Sequence, residues 1–214
     1  MTAVSGGNVQ VLITSTPSVT ITDEALLDSG DHTTFTVTSG NAAHRYWDDT
    51  ATFVFQTSTD GSTWNTVTPV SVQYVGGKVT FSGAVGGTHQ ARVHSGKYLP
   101  YSAMADATKA DASAEADQYD ATAFTTTNTP TKWRTYKPGL AKASLKVTKW
   151  HVDNTFLLAI TNKTRYVVSF LPDVTGNNRI EGFATIKSDA ISAAVDALTQ
   201  EPLEFTVSGQ LYAV

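Results

Sequence analysis

The side chains able to do chemistry are few and dispersed. The five histidines stand at 32, 44, 89, 94 and 151, whereas acid–base or nucleophilic catalysis needs such groups to converge. His89 and His94 are five apart in a stretch that reads as a strand. Side chains there alternate between faces, so the two point in opposite directions and make no zinc site. Asp48-Asp49 offers two carboxylates without the rest of a calcium loop and reads as a loop cap. The sequence holds no G-x-S-x-G, no glycine-rich phosphate loop ahead of a helix and no H-E-x-x-H. The pairs Gly6-Gly7, Gly76-Gly77 and Gly86-Gly87 fall between strands and read as turns. Asn162-Lys163-Thr164 fits the glycosylation pattern, but with no secretion signal it reads as an ordinary turn. Four Trp and eight Tyr leave two readings open: a sugar-binding aromatic platform, or anchors of core and interface, the use to which aromatics most often go. The expectation is no catalytic residue, no cofactor and no metal.

The composition describes what must position these groups. Of 214 residues, 34 are Thr and 17 are Ser, and 15 Gly accompany abundant Val, which favours strands and turns. Hydrophobic residues make up 41%, enough for a packed globule of one or two domains. There is no Cys, which removes disulfides, thiolate metal sites and cysteine nucleophiles. The longest apolar run near a helix, 156–160, is far short of a membrane span. The N-terminus carries no targeting signal, so the expectation is a soluble protein made in a cytoplasm.

Charge is sparse, 16% of residues with a net of -4, which argues against a phosphate-gripping protein. It is also uneven. Residues 1–124 carry five basic and twelve acidic side chains, and 125–214 carry ten and seven. Lys132, Arg134, Lys137, Lys142, Lys146 and Lys149 follow one another with no acid between them. Such a run reads as a solvated face, as a positive surface that meets a negative one on another copy of the chain, or as a nucleic-acid patch, the last disfavoured because the rest of the chain would repel phosphate.

Apolar–polar alternation predicts strands at 9–13, 33–38, 52–57, 70–74, 78–82 and 89–94, with Asp60-Gly61 and Gly76-Gly77 as turns. Residues 102–117 are contested. Alanine favours helix, whereas its recurrence at every second position (110, 112, 114, 116) favours a strand with Asp111, Glu115 and Asp117 on the opposite face; the strand reading is preferred. Residues 122–135 read as a Thr-rich loop and Pro138-Gly139 as a turn. Further strands fall at 144–150, 166–171, 180–186 and 203–207. A short helix over 153–162, capped by Asp153 or Asn154, presents Phe156, Leu157 and Ile160 at helical spacing. The fold class is mainly β: a small N-terminal β domain over 1–88, then an antiparallel sandwich or barrel over 89–214 with one short flanking helix.

Residues 90–214 resemble the tail tube proteins of long-tailed bacteriophages. The resemblance lies in Asp120-Ala-Thr-Ala-Phe124, in Trp133-Arg-Thr-Tyr136-Lys-Pro138-Gly139-Leu140 and in Ala143-Ser-Leu145. It continues through Tyr166-Val-Val-Ser-Phe-Leu-Pro-Asp173, Arg179-Ile-Glu-Gly-Phe-Ala184, Ala190-Ile-Ser-Ala-Ala-Val195 and the closing Phe205-Thr-Val-Ser-Gly209. It implies a structural virion protein, assembled in the host cytoplasm, whose copies form stacked rings of about six around a shared inner β-barrel. It implies an outer helix, a long loop reaching the next ring (122–136), and subunit contacts through Trp133, Arg134, Tyr136 and Leu140. It also implies a lumen lined by Asp111, Glu115 and Asp117, through which DNA passes without specific binding. The implied partners are further copies of the chain and the tape-measure, terminator and baseplate proteins, with no membrane. Residues 1–88 exceed a minimal tube domain, so a decoration or head–tail joining protein is an alternative. A monomeric carbohydrate-binding or adhesion sandwich is another.

Overall fold

A computed structural model describes residues 10–15, 17–104, 107–120, 136–173, 178–194 and 197–213. Strands dominate these residues, joined by one 3-10 segment (Ser39–His44) and one α-helix, so the protein is mainly β. The chain divides into two compact units: Met1–Ala105 with Arg165–Ala184 and Gly209–Val214, and Asp106–Thr164 with Thr185–Ser208.

The first unit contains β1 (Gln10–Thr14), β2 (Val19–Asp28), β3 (Thr34–Val37), β4 (Val54–Ser58), β5 (Asn65–Val67), β6 (Ser71–Gln73), β7 (Lys78–Thr80), β8 (Gln90–Tyr98) and β9 (Tyr101–Ala103). Seven of these form an antiparallel sheet in the order β5-β4-β8-β2-β3-β7-β6. Its register follows the apolar residues. Phe35 stands opposite Val79 and Phe55 opposite Val93, and all four are buried around a fully enclosed Trp47. A one-residue slip would turn each of them out to water. Turn chemistry closes the strands: the Asp60 carboxylate accepts the N–H groups of Ser62 and Thr63. Gly87 has φ +65, and a Cβ there would lie 1.9 Å from the Thr59 carbonyl oxygen, so no other residue fits.

β1 is not part of that sheet. It pairs with β9 and with β12 (Arg165–Asp173). The sequence boundary at 88 therefore separates β1 from its partner β12, and separates β8 from β2 and β4, between which it lies. The expectation of a division at 88 rested on local strands, turns, aromatics and charge, none of which records pairing between distant strands.

The second unit contains β10 (Ala107–Asp120), β11 (Tyr136–Trp150), α1 (Thr155–Thr161), β14 (Ser192–Ala194) and β15 (Ala197–Val207). β13 (Asn178–Asp189) gives its first half to the first unit and its end to the second. β16 (Tyr212–Ala213) pairs with Ile180 and Glu181 of β13. In the second unit the strand order is β10-β11-β15-β13, with β14 beside β15. Of residues 102–117, contested between strand and helix, 102–103 and 107–117 are strand, because cross-strand pairing outweighs the helical preference of alanine. Pro138-Gly139, expected to be a turn, lies inside β11. Pro138 pairs with Gln118 beside a register shift, and β11 has no β15 partner until Ser144. A proline is tolerated where no second ladder needs its missing N–H.

One buried carboxylate ties the first unit together. Glu181 is completely enclosed. Its Oε2 accepts from Arg45 Nη2 at 2.8 Å and its Oε1 from the Tyr46 hydroxyl at 2.9 Å and Ser169 Oγ at 3.1 Å. Arg179 Nη1 lies 3.5 Å away. Burial, and then the Glu181 charge, push the Tyr46 hydroxyl to a higher pKa. Glu181→Gln leaves two partly buried guanidinium groups facing a neutral amide. It should lower stability by about 3–5 kcal/mol, read as a shift in the urea midpoint; an unchanged midpoint would contradict the role given to this carboxylate.

Acid should loosen the same unit. Hydrogen bonds from His94 and His32 hold Asp23 and Asp28 below the usual carboxylate range, and backbone N–H groups do so for Asp31 and Asp60. Depressed folded values mean that this stability is complete above the unfolded pKa, near 3.9, and is lost as pH falls through the folded values. Melting temperatures followed by circular dichroism should hold from pH 7 to about 5 and fall steeply below about 4. A flat profile to pH 2 would contradict this.

Candidate assembly surface

β10, which covers most of the alanine-alternating stretch, forms a long antiparallel ribbon with β11. Their register pairs Ala110 with Val147, Ala112 with Leu145, Ala114 with Ala143 and Ala116 with Ala141. The same face continues into β15, where Val147 meets Leu203 and Leu145 meets Phe205. Leu145, Val147, Leu203 and Phe205 are buried. The alanines of β10, further out, are largely exposed.

The apolar face ends in an enclosed ion pair. Lys149 Nζ lies 2.9 Å from Glu201 Oε2, with His151 Nδ1 at 3.2 Å from the same oxygen. Burial, and then the Glu201 carboxylate, push the Asp189 carboxyl up. α1 lies on this side of the sheet: its Phe156 ring sits 5.2 Å from Lys149 Nζ and its Ala159 is buried. The first helical N–H, on Thr155, is bonded by the Asp153 carboxylate at 2.8 Å, so Asp153 and not Asn154 supplies the side-chain cap. Leu157 and Leu158 face solvent, so the expected Phe156/Leu157/Ile160 stripe is not wholly buried.

The opposite face is polar. Asp111 stands across from Lys146 and Lys146 across from Glu204, whose Oε1 lies 3.0 Å from Lys187 Nζ on β13. The next row is all hydroxyl, with Ser113, Ser144 and Thr206 aligned and a 2.9 Å hydrogen bond between the two serines. In the following row Glu115 lies 3.4 Å from Lys142, which is also 4.0 Å from Asp117. Asp111 has Lys109 at 2.8 Å. A cavity of about 480 Å³ opens on this face.

Asp111, Glu115 and Asp117 thus share one exposed face, in the alternation expected. The sequence reading missed that Lys142 and Lys146 occupy the paired positions on β11. Of the basic run, Lys142 meets Glu115 and Lys149 meets Glu201 of its own chain, and Lys146 lies in register between Asp111 and Glu204. Tyr136 and Leu140 are placed in β11 by their backbone, whereas Trp133 and Arg134 lie outside the described residues, as does most of the loop at 122–136. Trp47 is enclosed in the core, and Trp64 carries the Arg92 guanidinium 4.1 Å over its ring. These two aromatics pack the protein and form no open platform. Among the described residues no cluster of three metal-ligating side chains occurs, and no helix is long and apolar enough to cross a membrane.

No protein family matches the chain, and no curated protein matches it. Solved structures with which the chain has a partial likeness include three of viral or virus-like particles. A chain of the virion of a native gene transfer agent particle is 15% identical, with 53% of this chain and 88% of that one aligned at a TM-score of 0.45. A chain of the tail of an empty gene transfer agent particle, determined with C6 symmetry, is 16% identical over 54% and 87%, also at 0.45. The SPP1 tail tube, determined by solid-state NMR and cryo-EM, is 15% identical over 76% and 75%, at 0.37.

The two kinds of ion pair in this unit should respond differently to neutralisation. Glu201→Gln strands a buried lysine and should cost about 3–5 kcal/mol. Glu115→Gln removes a carboxylate that is 67% exposed and should change stability by no more than about 1 kcal/mol. Thermal melts of both variants check this, and equal shifts would contradict it.

Proposed function

We propose that the chain is a non-enzymatic structural subunit that polymerises through strand edges, forming the tube of a virion tail. The observation that carries this is β10. It is 14 residues long, exposed over 111–118, and paired only with β11 among the described residues. A long strand with one open edge presents a row of unpaired N–H and C=O groups, which is a template for another strand. A ring of copies, each adding β10, β11, β15 and β13 to a common barrel, removes that edge.

The helix position agrees with this reading. α1 lies on the side of the sheet opposite Asp111, Glu115 and Asp117, so a barrel with the polar face inward carries α1 outward. In such an assembly, rings of about six copies stack into a conduit for DNA. Trp133, Arg134, Tyr136 and Leu140 form contacts between copies, and proteins of the tube ends and interior are the other partners. The location is the virion, after assembly in the host cytoplasm.

Negative-stain microscopy and light scattering of the purified chain test this directly. Rings or filaments should form as concentration rises, and a monomer at every concentration would overturn the reading. Trp133→Ala should cost about 2–4 kcal/mol at the contact, abolishing rings while the circular dichroism stays β. Normal tubes from this variant would remove Trp133 from the interface.

A further inference from the structure

We infer that the polar face of β10, β11, β15 and β13 is a charge-balanced wall, past which a polyanion moves without being held or driven off. The inference deepens the tube reading above and rests on it for the direction in which the face points. An acid-only wall would need carboxylates free of cations, and a gripping wall would need lysines free of acids. Four acids (Asp111, Glu115, Asp117, Glu204) share the face with four lysines (109, 142, 146, 187), and each acid has a lysine nitrogen within 4.0 Å. Lys146 forms no ion pair within 4.0 Å among the described residues but stands between Asp111 and Glu204 in register, so the face is neither acid-only nor a row of lysines away from acids. The charges alternate across the strands, acid on β10, lysine on β11, acid on β15, lysine on β13. The adjacent row of three hydroxyls is neutral.

Two magnitudes decide what such a surface does. Pairs about 3–4 Å apart are closer than the Debye length, about 10 Å at 0.1 M salt, so their fields cancel before they reach a strand of nucleic acid in mid-channel. Ion pairs this exposed contribute only about 0–1 kcal/mol each to folding, so the fold itself has little use for them. Duplex DNA carries about one charge per 1.7 Å. Unmasked lysines repeated around a ring would bind it, and unmasked acids would oppose its entry. Each set therefore offsets the other, and the acids act by masking the lysines.

The test uses the full chain and a labelled 30-base-pair duplex, followed by fluorescence anisotropy. The wild-type chain should show no binding at 50 mM NaCl. The triple variant D111N/E115Q/E204Q, with an unchanged circular dichroism spectrum, should bind. Its affinity should fall about 40-fold between 50 and 200 mM salt if three phosphates are contacted. The converse variant K142Q/K146Q/K187Q should not bind. Wild-type binding as tight as the triple variant's, or no binding by a folded triple variant, would overturn the inference. Ring formation is scored separately by light scattering. Its absence, with the DNA results as expected, would remove the conduit while leaving the masking of the lysines established.

Discussion

A strand edge has to be satisfied, and that constraint shapes the second unit of this protein. β10 extends 14 residues beside β11, and among the described residues its other edge has no strand partner. Water can bond those groups in a monomer. A strand of another copy can bond them in an assembly and add burial of side chains at the same time. The alanine face of β10 suits this second outcome, because small side chains let another surface approach closely. The opposite face stays wet, with its charges paired in rows. A period of two residues separates these duties, and a single-residue slip between β10 and β11 would exchange them.

The first unit is organised around charge that is enclosed and answered. Glu181 sits where β12, β13 and the segment after the 3-10 turn converge, and its oxygens are bonded by Arg45, Tyr46 and Ser169. An enclosed carboxylate tolerates few alternative arrangements of its donors, so this centre fixes geometry more than it adds net stability. The Lys149–Glu201 pair repeats the device in the second unit. Both differ from the solvent-facing pairs of β10 and β11, which leave the fold nearly indifferent and set the electrical character of a surface.

Much of this was legible in the chain. Alternation of Phe and Val with Thr placed β3, β4, β6, β7 and β8 of the seven-stranded sheet, and Asp60-Gly61 and Gly76-Gly77 placed two of its turns, but β2, its central strand, and the short β5 were not foreseen. The two-residue period of alanine identified β10 against its helical propensity and put Asp111, Glu115 and Asp117 on one face. What could not be read was pairing at long range. β1 lies beside β12, more than 150 residues away in sequence, and no local pattern records that. The same gap hid the lysines: Lys142 and Lys146 looked like a positive block because their acidic neighbours belong to another strand. Glu181 gave no signal at all, since a lone glutamate in a strand reads as surface until three separate segments close over it.

Amide hydrogen exchange along β10, compared between dilute and assembled protein, tests the central claim most directly. Half of its backbone N–H groups point toward β11 and are protected in either state; the other half point to the open edge. Residues 107–120 should show fast exchange at alternate positions in dilute solution and protection of those same positions once rings form. Assembly that leaves the outward amides of β10 exchanging as fast as before would show that copies join elsewhere, and would contradict the account.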